Sequence, residues 1–299
     1  YEKHKALTYP RTDSRHLPED YLAVVKNTFD MLAKEDLPGP LKPLAGHAKL
    51  GLKEGYVKPT KRVFDNAKVS DHFAIIPTLQ APKSLSEAEA KLYELVVKRF
   101  LAVFYPPAEF LVTTRISTVK ADGKEHRFQT NGKVLVKPGW LAVYGKEAQE
   151  DDANLVPVAP GEIVRTESVD VVALKTKPPA RYTEATLLSA MEGAGKLIDD
   201  GELREAMAEK GLGTPATRAA IIEGLILEKY MLRDGRELVP TAKAFQLMTL
   251  LRGLDVEDLT KPELTGNWEY QLAEMEHGRL KREAFMAEIA KMAERIVRK

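Results

Sequence analysis

Leu7-Thr8-Tyr9-Pro10-Arg11-Thr12-Asp13-Ser14 brings a phenol, a guanidinium, hydroxyls and a carboxylate together within eight residues. Leu-Thr-Tyr is a short run of side chains that favour a pleated strand. Pro10 fixes its own φ, removes a donor and pushes Tyr9 toward extended backbone, so Tyr9 falls where a strand ends. Arg11 projects to the same side as Tyr9 if the backbone stays extended. That pattern suits a phosphate: the planar guanidinium holds two oxygens while the phenol oxygen approaches phosphorus. A free tyrosine, with a pKa of about 10, is a poor nucleophile at neutral pH without nearby positive charge or a base. Arg11 supplies the charge. The same run also reads more plainly as a strand end followed by an Asp-containing turn.

Two further stretches carry side chains with chemistry. Ser70-Asp71-His72-Phe73-Ala74-Ile75-Ile76-Pro77-Thr78 sets a histidine at the head of an apolar run, which is ordinarily structural. Gly211-Leu212-Gly213-Thr214-Pro215-Ala216-Thr217-Arg218-Ala219 reads as a helix start with Thr214 as N-cap and Pro215 at the first helical position. A helix N-terminus with a free hydroxyl beside it is a ready phosphate site, although a well-capped helix alone explains the same residues.

Together, Thr8–Ser14, the His-x-Ala-Ile-x-Pro run at 72 and Gly-x-Gly-Thr-Pro-Ala-Thr-Arg at 211 resemble, in that order, the signatures of type IA DNA topoisomerases, specifically the topoisomerase III branch. Leu264-Thr265-Gly266-x-Trp268-Glu269 is similar to the family as well, so the resemblance covers nearly the whole chain. It implies reversible transesterification of single-stranded DNA. Tyr9 forms a 5′-phosphotyrosine, Arg11 stabilises phosphoryl charge, and His72 hydrogen-bonds the scissile phosphate or relays a proton. Thr12, Asp13, Ser14, Thr214, Thr217 and Arg218 are the implied contacts to the strand. Where the family often has a second histidine or a glutamate this chain has Phe73, which removes any role of that position. The resemblance also implies Mg2+, held by acids of an N-terminal domain, and no ATP; no Walker A loop occurs in the sequence. No Asp-x-Asp pattern lies at a strand end, and Asp151-Asp152 and Asp199-Asp200 are adjacent pairs in expected loops.

Organisation follows from the rest of the chain. Its 299 residues exceed one average domain, and an α+β multidomain fold is expected. Residues 1–108 form a mixed tyrosine-bearing domain, 109–180 an antiparallel β arch, and 181–299 a mostly helical base with a winged-helix-like element. Leu17-Pro18-Glu19-Asp20 opens a helix over 17–35 whose apolar positions are Tyr21, Val24, Val25, Thr28, Phe29 and Leu32. Residues 36–45 are a loop. Ser86-x-x-Glu89 is a capping box for a helix to about Tyr105, with Leu92, Leu95, Val96, Arg99 and Phe100 on related faces. Asp122-Gly123 and Asn131-Gly132 are hairpin signals, and strands are expected at 133–136, 140–144, 162–166 and 168–174. Thr183 caps a helix to about Met191, residues 231–239 form a hairpin, a helix starts at Thr241, and Phe285, Ile289, Met292 and Ile296 make an apolar stripe.

Composition narrows the classes. Net charge is +1, so a nucleic-acid protein of this kind must concentrate its basic residues locally. Residues 42–68 do so, with Lys42, Lys49, Lys53, Lys58, Lys61, Arg62 and Lys68 against Glu54 and Asp65. Such a run is either a solvated face or a phosphate track. Cysteine is absent, which excludes disulfides, thiolate zinc sites and a cysteine nucleophile. No apolar run reaches 18 residues, no secretory signal is present, and a cytoplasmic, nucleoid-associated bacterial protein, probing DNA as a monomer, is expected. A start at Tyr1 is expected to mark a piece of a longer protein, impaired without its N-terminal metal-binding domain.

Two other classes fit parts of the chain. A winged-helix DNA-binding regulator would use residues 214–240 and leave the tyrosine incidental. A tyrosine recombinase needs further Arg and His residues before a C-terminal tyrosine, and a relaxase needs a histidine cluster; the six histidines are scattered. The topoisomerase reading carries its own expectation: Tyr9, Arg11 and His72 converge within about 10 Å, the reach of one bound phosphate and its hydrogen bonds. It also separates from the regulator in solution. Titration against oligonucleotides is expected to show preference for single-stranded over duplex DNA, each neutralised phosphate adding about 0.7 to the log–log salt slope.

Overall fold

Three helices bring together the apolar side chains that the helical spacing set on one face. α1 (Leu22–Leu32) buries Val25, Thr28, Phe29 and Leu32, α2 (Leu44–Lys53) buries Leu44, Ala45 and Ala48, and α3 (Glu87–Phe104) buries Tyr93, Val97, Phe100, Leu101 and Phe104. The Phe29 ring lies 5.3 Å from that of Phe100 and 5.5 Å from that of Phe104, within the range in which aromatic pairs attract beyond their area alone. Thr28, fully buried, donates its hydroxyl to the Val24 carbonyl at 2.9 Å, so its own polar atom is paired inside the core. On α3 the inward face is Tyr93–Val97–Phe100–Phe104, while Leu92 and Leu95 are exposed. These elements come from a computed structural model that describes residues 1–34, 41–69, 71–145, 155–208 and 210–299. The chain divides into two compact units, 1–171 and 172–299.

The first unit continues into one long hairpin. β1 (Glu109–Ala121) pairs antiparallel with β2 (Lys124–Lys137), with Ala121 opposite Lys124 across the two-residue turn Asp122-Gly123. Both turn residues have positive φ, 49° and 71°, the geometry that matches strand twist. Asn131-Gly132, read from the sequence as a second turn, instead lies within β2 opposite Thr114 and Thr113. The register set at Asp122-Gly123 carries straight through it. The strand expected at 140–144 is a 3₁₀ helix, Gly139–Tyr144, which buries Leu141 and Val143. Residues 162–166 and 168–174 form no strand; Ile163 and Val171 are almost wholly exposed, and no neighbouring strand pairs with them. The arch expected over 109–180 therefore contains, among the described residues, a single two-stranded sheet.

In the second unit α4 (Glu184–Glu192), α5 (Gly201–Ala206), α6 (Arg218–Leu227), the hairpin β3 (Met231–Asp234)–β4 (Glu237–Pro240), α7 (Ala242–Gly253), α8 (Glu263–Glu276) and α9 (Arg282–Arg298) follow in order. Thr183 caps α4 in a reciprocal box with Thr186, and the Thr241 hydroxyl caps α7. Asp200, of the adjacent acid pair, caps α5 by accepting from the Glu202 and Leu203 amides; Asp151-Asp152 lie outside the described residues. A small core of Ala194, Ile198 and Met207 admits α8 because Gly266 has no side chain: a Cβ there would sit 3.0 Å from Ile198 Cδ1.

The capping box of α3 yields a pH test. The Ser86 backbone amide, then the Ser86 side chain, hold the Glu89 carboxylate down to about 2 from an ordinary 4.5, with help from His4 and Lys3. A depressed carboxylate contributes stability that is fully present above the ordinary value and is lost as pH falls through the folded one. Denaturant midpoints measured between pH 4.5 and 2 should therefore fall more steeply in the wild type than in Glu89→Gln, which cannot titrate.

Candidate active site

Two extended segments of the first unit lie antiparallel. Leu7 bridges Pro77, the Thr8 amide donates to the Ile76 carbonyl at 3.0 Å, and the Thr78 amide donates to the Ala6 carbonyl at 2.9 Å. The Thr8 hydroxyl donates to the Ala74 carbonyl at 3.1 Å and accepts from the Ile76 amide at 2.9 Å. Ala6 and Ile76 are buried in the helical core, so the pairing rests on the packed part of the unit. The chain bends at Pro10, leaves as the loop 9–15, and returns to the same segment, where the Ala74 amide donates to the His16 carbonyl at 2.9 Å. Leu17 then docks between Val63 and Asp65, its amide on the Val63 carbonyl at 2.8 Å.

This arrangement brings Tyr9 and His72 together. Their ring centroids are 4.4 Å apart with planes inclined at 43°. Tyr1 also meets Tyr9, in an edge-on arrangement with ring centroids 5.2 Å apart. Tyr9 is half-buried, while His72 and Arg11 are exposed. Among the described residues no hydrogen bond or ion pair holds the Arg11 guanidinium, which leaves its fork available to an anion. The hydroxyls nominated beside it are already engaged. Thr12 donates to the His72 carbonyl at 2.9 Å and accepts from the Ser14 amide, and Ser14 donates to the Lys68 carbonyl at 2.7 Å. Asp13 is exposed between them. Phe73 packs on Tyr21, ring centroids 4.6 Å apart, and acts as a core residue. Ser70 lies outside the described residues.

The basic run is exposed throughout, and part of it is structural. Lys61 pairs with Glu19, Lys68 lies 3.8 Å from Asp65, and Arg62 donates to the Val103 carbonyl at 2.6 Å. Exposed pairs of this kind contribute little to stability and exchange readily for another anion.

In the second unit, the loop before α6 departs from the expected helix start. α6 begins at Arg218, with Thr217 as the flanking residue, and residues 214–217 form a turn in which the Thr217 hydroxyl accepts from the Thr214 amide at 2.9 Å. Both threonines are exposed, their hydroxyl oxygens 3.1 Å apart. Arg218 is buried and turned inward, donating to the Leu212 carbonyl at 3.1 Å and the Lys210 carbonyl at 2.7 Å, so its guanidinium shapes the loop instead of facing solvent. Lys210 in turn pairs with Glu269 at 2.6 Å. Gly211 is required twice over: its φ is +67°, and a Cβ would lie 2.4 Å from the Met191 carbonyl oxygen. Among the described residues no three His, Asp or Glu side chains gather as metal ligands, so the implied Mg2+ does not fit these residues and no step below runs through a metal.

The tyrosine-bearing loop, the histidine beside it and the Gly-x-Gly-Thr turn fall inside one family match. The chain belongs to the DNA topoisomerase family, whose model covers residues 1–287. It is 39 % identical over its full length to DNA topoisomerase 3 of Bacillus licheniformis and 37 % identical to that of Bacillus subtilis, and it covers 40 % of each of those proteins. DNA topoisomerase 3 of Shouchella clausii is 36 % identical over 99 % of the chain. Among solved structures, full-length topoisomerase I from Thermotoga maritima matches 97 % of this chain and 42 % of its own length, with a TM-score of 0.62 and 25 % identity. The resemblance read from Tyr9, His72 and Thr214 therefore holds at the level of the family and of the topoisomerase 3 relatives. The winged-helix regulator reading is not favoured, because the match includes the tyrosine segment. The mixed α/β fold with small antiparallel sheets is that of a type IA topoisomerase at the level of the whole chain. No helix among the described residues is long and apolar enough to cross a membrane.

The loop at Gly211 gives a paired stability test. Gly211→Ala combines positive φ with a backbone clash and is expected to destabilise by more than about 1 kcal/mol. Gly224→Ala, in α6 with open space around its Cβ, should stabilise by about 0.5–1 kcal/mol. Urea unfolding of the two variants side by side checks both signs.

Proposed function

We propose that this chain carries the nucleophilic part of a type IA topoisomerase acting on single-stranded DNA. The reading rests on one observation above others: the 4.4 Å approach of His72 to Tyr9. Arg11, two residues after the tyrosine, is exposed. Tyr9 Oη attacks a backbone phosphorus; the bond to the 3′ oxygen breaks, the phenol proton leaves, and the 3′ oxygen departs as a hydroxyl, leaving a 5′-phosphotyrosine. His72, whose imidazole is suited to either direction of transfer near neutral pH, hydrogen-bonds the phosphate or relays that proton. Arg11 holds the phosphoryl oxygens where charge builds up, the kind of fixed electrostatic contact that dominates such transfers. The phosphoester energy stays in the covalent link, so resealing reverses the step after a strand has passed and needs no ATP.

Thr214 and Thr217 are the contacts to single-stranded DNA assigned to the second unit, with Arg218 acting through the loop it holds; in the first unit Thr12, Asp13 and Ser14 form the far limb of the loop that carries Tyr9. Residues 1–108 would then bear the nucleophile, 109–180 the arch, and 181–299 the strand-binding base with its helix–hairpin–helix wing. The chain spans about 40 % of the length of its topoisomerase 3 relatives. Mg2+ ligands are assigned to the part it does not cover, along with relaxation or decatenation as a complete activity.

The chemistry is tested by trapping. Labelled single-stranded oligonucleotide is incubated with the full-length protein, denatured, and examined for DNA linked to peptide. Tyr9→Phe is expected to give no adduct while fold and DNA affinity persist, since only the phenol oxygen is lost. Arg11→Ala should slow adduct formation by about 10²–10³. Lysine at position 11 should restore part of that loss, a point charge being unable to reproduce the fork. An adduct mapping to any other tyrosine would overturn the assignment.

A further inference from the structure

We propose that Thr8 is a positioning residue whose single hydroxyl sets the register of His72 against Tyr9. The proposal rests on the reading of Tyr9 and His72 given above. In a regular antiparallel pair, two opposed residues exchange two backbone hydrogen bonds. Thr8 and Ile76 do so only by half. The Thr8 amide donates to the Ile76 carbonyl at 3.0 Å, but the Ile76 amide turns to the Thr8 hydroxyl at 2.9 Å. The same hydroxyl passes its own proton to the Ala74 carbonyl at 3.1 Å. One oxygen thus accepts from residue 76 and donates to residue 74, using the donor and acceptor capacity that only a hydroxyl combines at this length. The β-branch limits the rotamers from which it can do so.

Position gives this clip its consequence. Thr8 is adjacent to Tyr9, and Ala74 is two residues beyond His72. The Thr12 hydroxyl adds a second tie, on the His72 carbonyl itself at 2.9 Å. Because successive side chains of an extended segment face opposite ways, a slip of one residue would turn His72 away from the phenol altogether. A smaller slack matters too, since a misplacement of about 1 Å of a reacting group can cost about 10²-fold in rate. The Thr8 hydroxyl is fully engaged by backbone and does not reach for a phosphate, so its effect passes through the placement of the two rings. Removing it would leave the Ile76 amide and the Ala74 carbonyl without their partner, next to the buried Ile76 side chain.

The test compares Thr8→Val, which keeps the shape and loses the hydroxyl, with Thr8→Ser, which keeps the hydroxyl. In the 299-residue chain, the ring-current shift that Tyr9 imposes on the His72 imidazole protons is read by NMR, its size calibrated with Tyr9→Leu. Thr8→Ser is expected to keep the wild-type shift and Thr8→Val to lose most of it. In the full-length protein, Thr8→Val should form the Tyr9 adduct about 10–100-fold more slowly with oligonucleotide affinity unchanged within about threefold, and Thr8→Ser should recover the wild-type rate within about threefold. Should Thr8→Val fail to fold, Thr8→Cys, a weak donor and acceptor of the same size, takes its place and is expected to fall between the two. A wild-type shift and rate in Thr8→Val, or equal impairment of Thr8→Val and Thr8→Ser, would overturn the proposal. Absence of any adduct in the wild type would instead defeat the nucleophile reading, while the ring-current comparison would still judge the clip.

Discussion

The pairing of residues 5–8 with 74–78 governs how the first unit presents its chemistry. It joins two stretches almost seventy residues apart in sequence, and it does so over Ala6 and Ile76, both sunk into the core built by α1, α2 and α3. The helices are a platform; the pairing is what converts that platform into a site. Without it Tyr9 would belong to an unpaired strand and His72 to an exposed loop. With it, a half-buried phenol stands against an exposed imidazole, and an exposed guanidinium follows two residues later. The helical core is thus coupled to the chemistry through a handful of hydrogen bonds and not through direct contact of the reacting side chains with the core.

Local features of the fold were readable because their causes are local. Ser86 and Glu89 form their box within one helical turn, and Thr183 and Thr241 cap by bonds to amides three residues on. The failures share the opposite cause. Asn131-Gly132 has strong turn chemistry, yet the register fixed at Asp122-Gly123 and continued as far as Phe110 places it inside β2. Residues 140–144 carry strand-favouring Trp, Val and Tyr side chains, but the Trp140 amide is captured by the Pro106 carbonyl and the segment winds into a 3₁₀ helix. Residues 162–174 have strand-forming side chains and, among the described residues, no neighbour to pair with, and β propensity is mostly a statement about packing against such a neighbour.

The site divides the same way. Residue types suggested a phosphate-binding pattern at Tyr9 and Arg11 beside the plainer strand-end reading, and it was the ordered resemblance to the family that singled out His72. Nothing in the sequence indicated that Thr12 and Ser14 would direct their hydroxyls to the backbone of residues 72 and 68, or that Arg218 would turn inward to hold Lys210 and Leu212. Those outcomes depend on which carbonyls the tertiary fold leaves unpaired nearby. Thr8 was missed for a related reason: in an extended segment it faces away from Tyr9, so a search for side chains able to touch one phosphate passes over it.

The loop 9–15 departs from Ala74 and returns to Ala74, since that residue's carbonyl takes the Thr8 hydroxyl and its amide meets the His16 carbonyl. The Thr12 and Ser14 hydroxyls tie the same loop to the carbonyls of residues 72 and 68. Such anchoring has an evolutionary consequence: a one-residue insertion or deletion between His72 and Ile76 would shift the attachments and reverse the histidine, so changes of length are expected to fall outside this span.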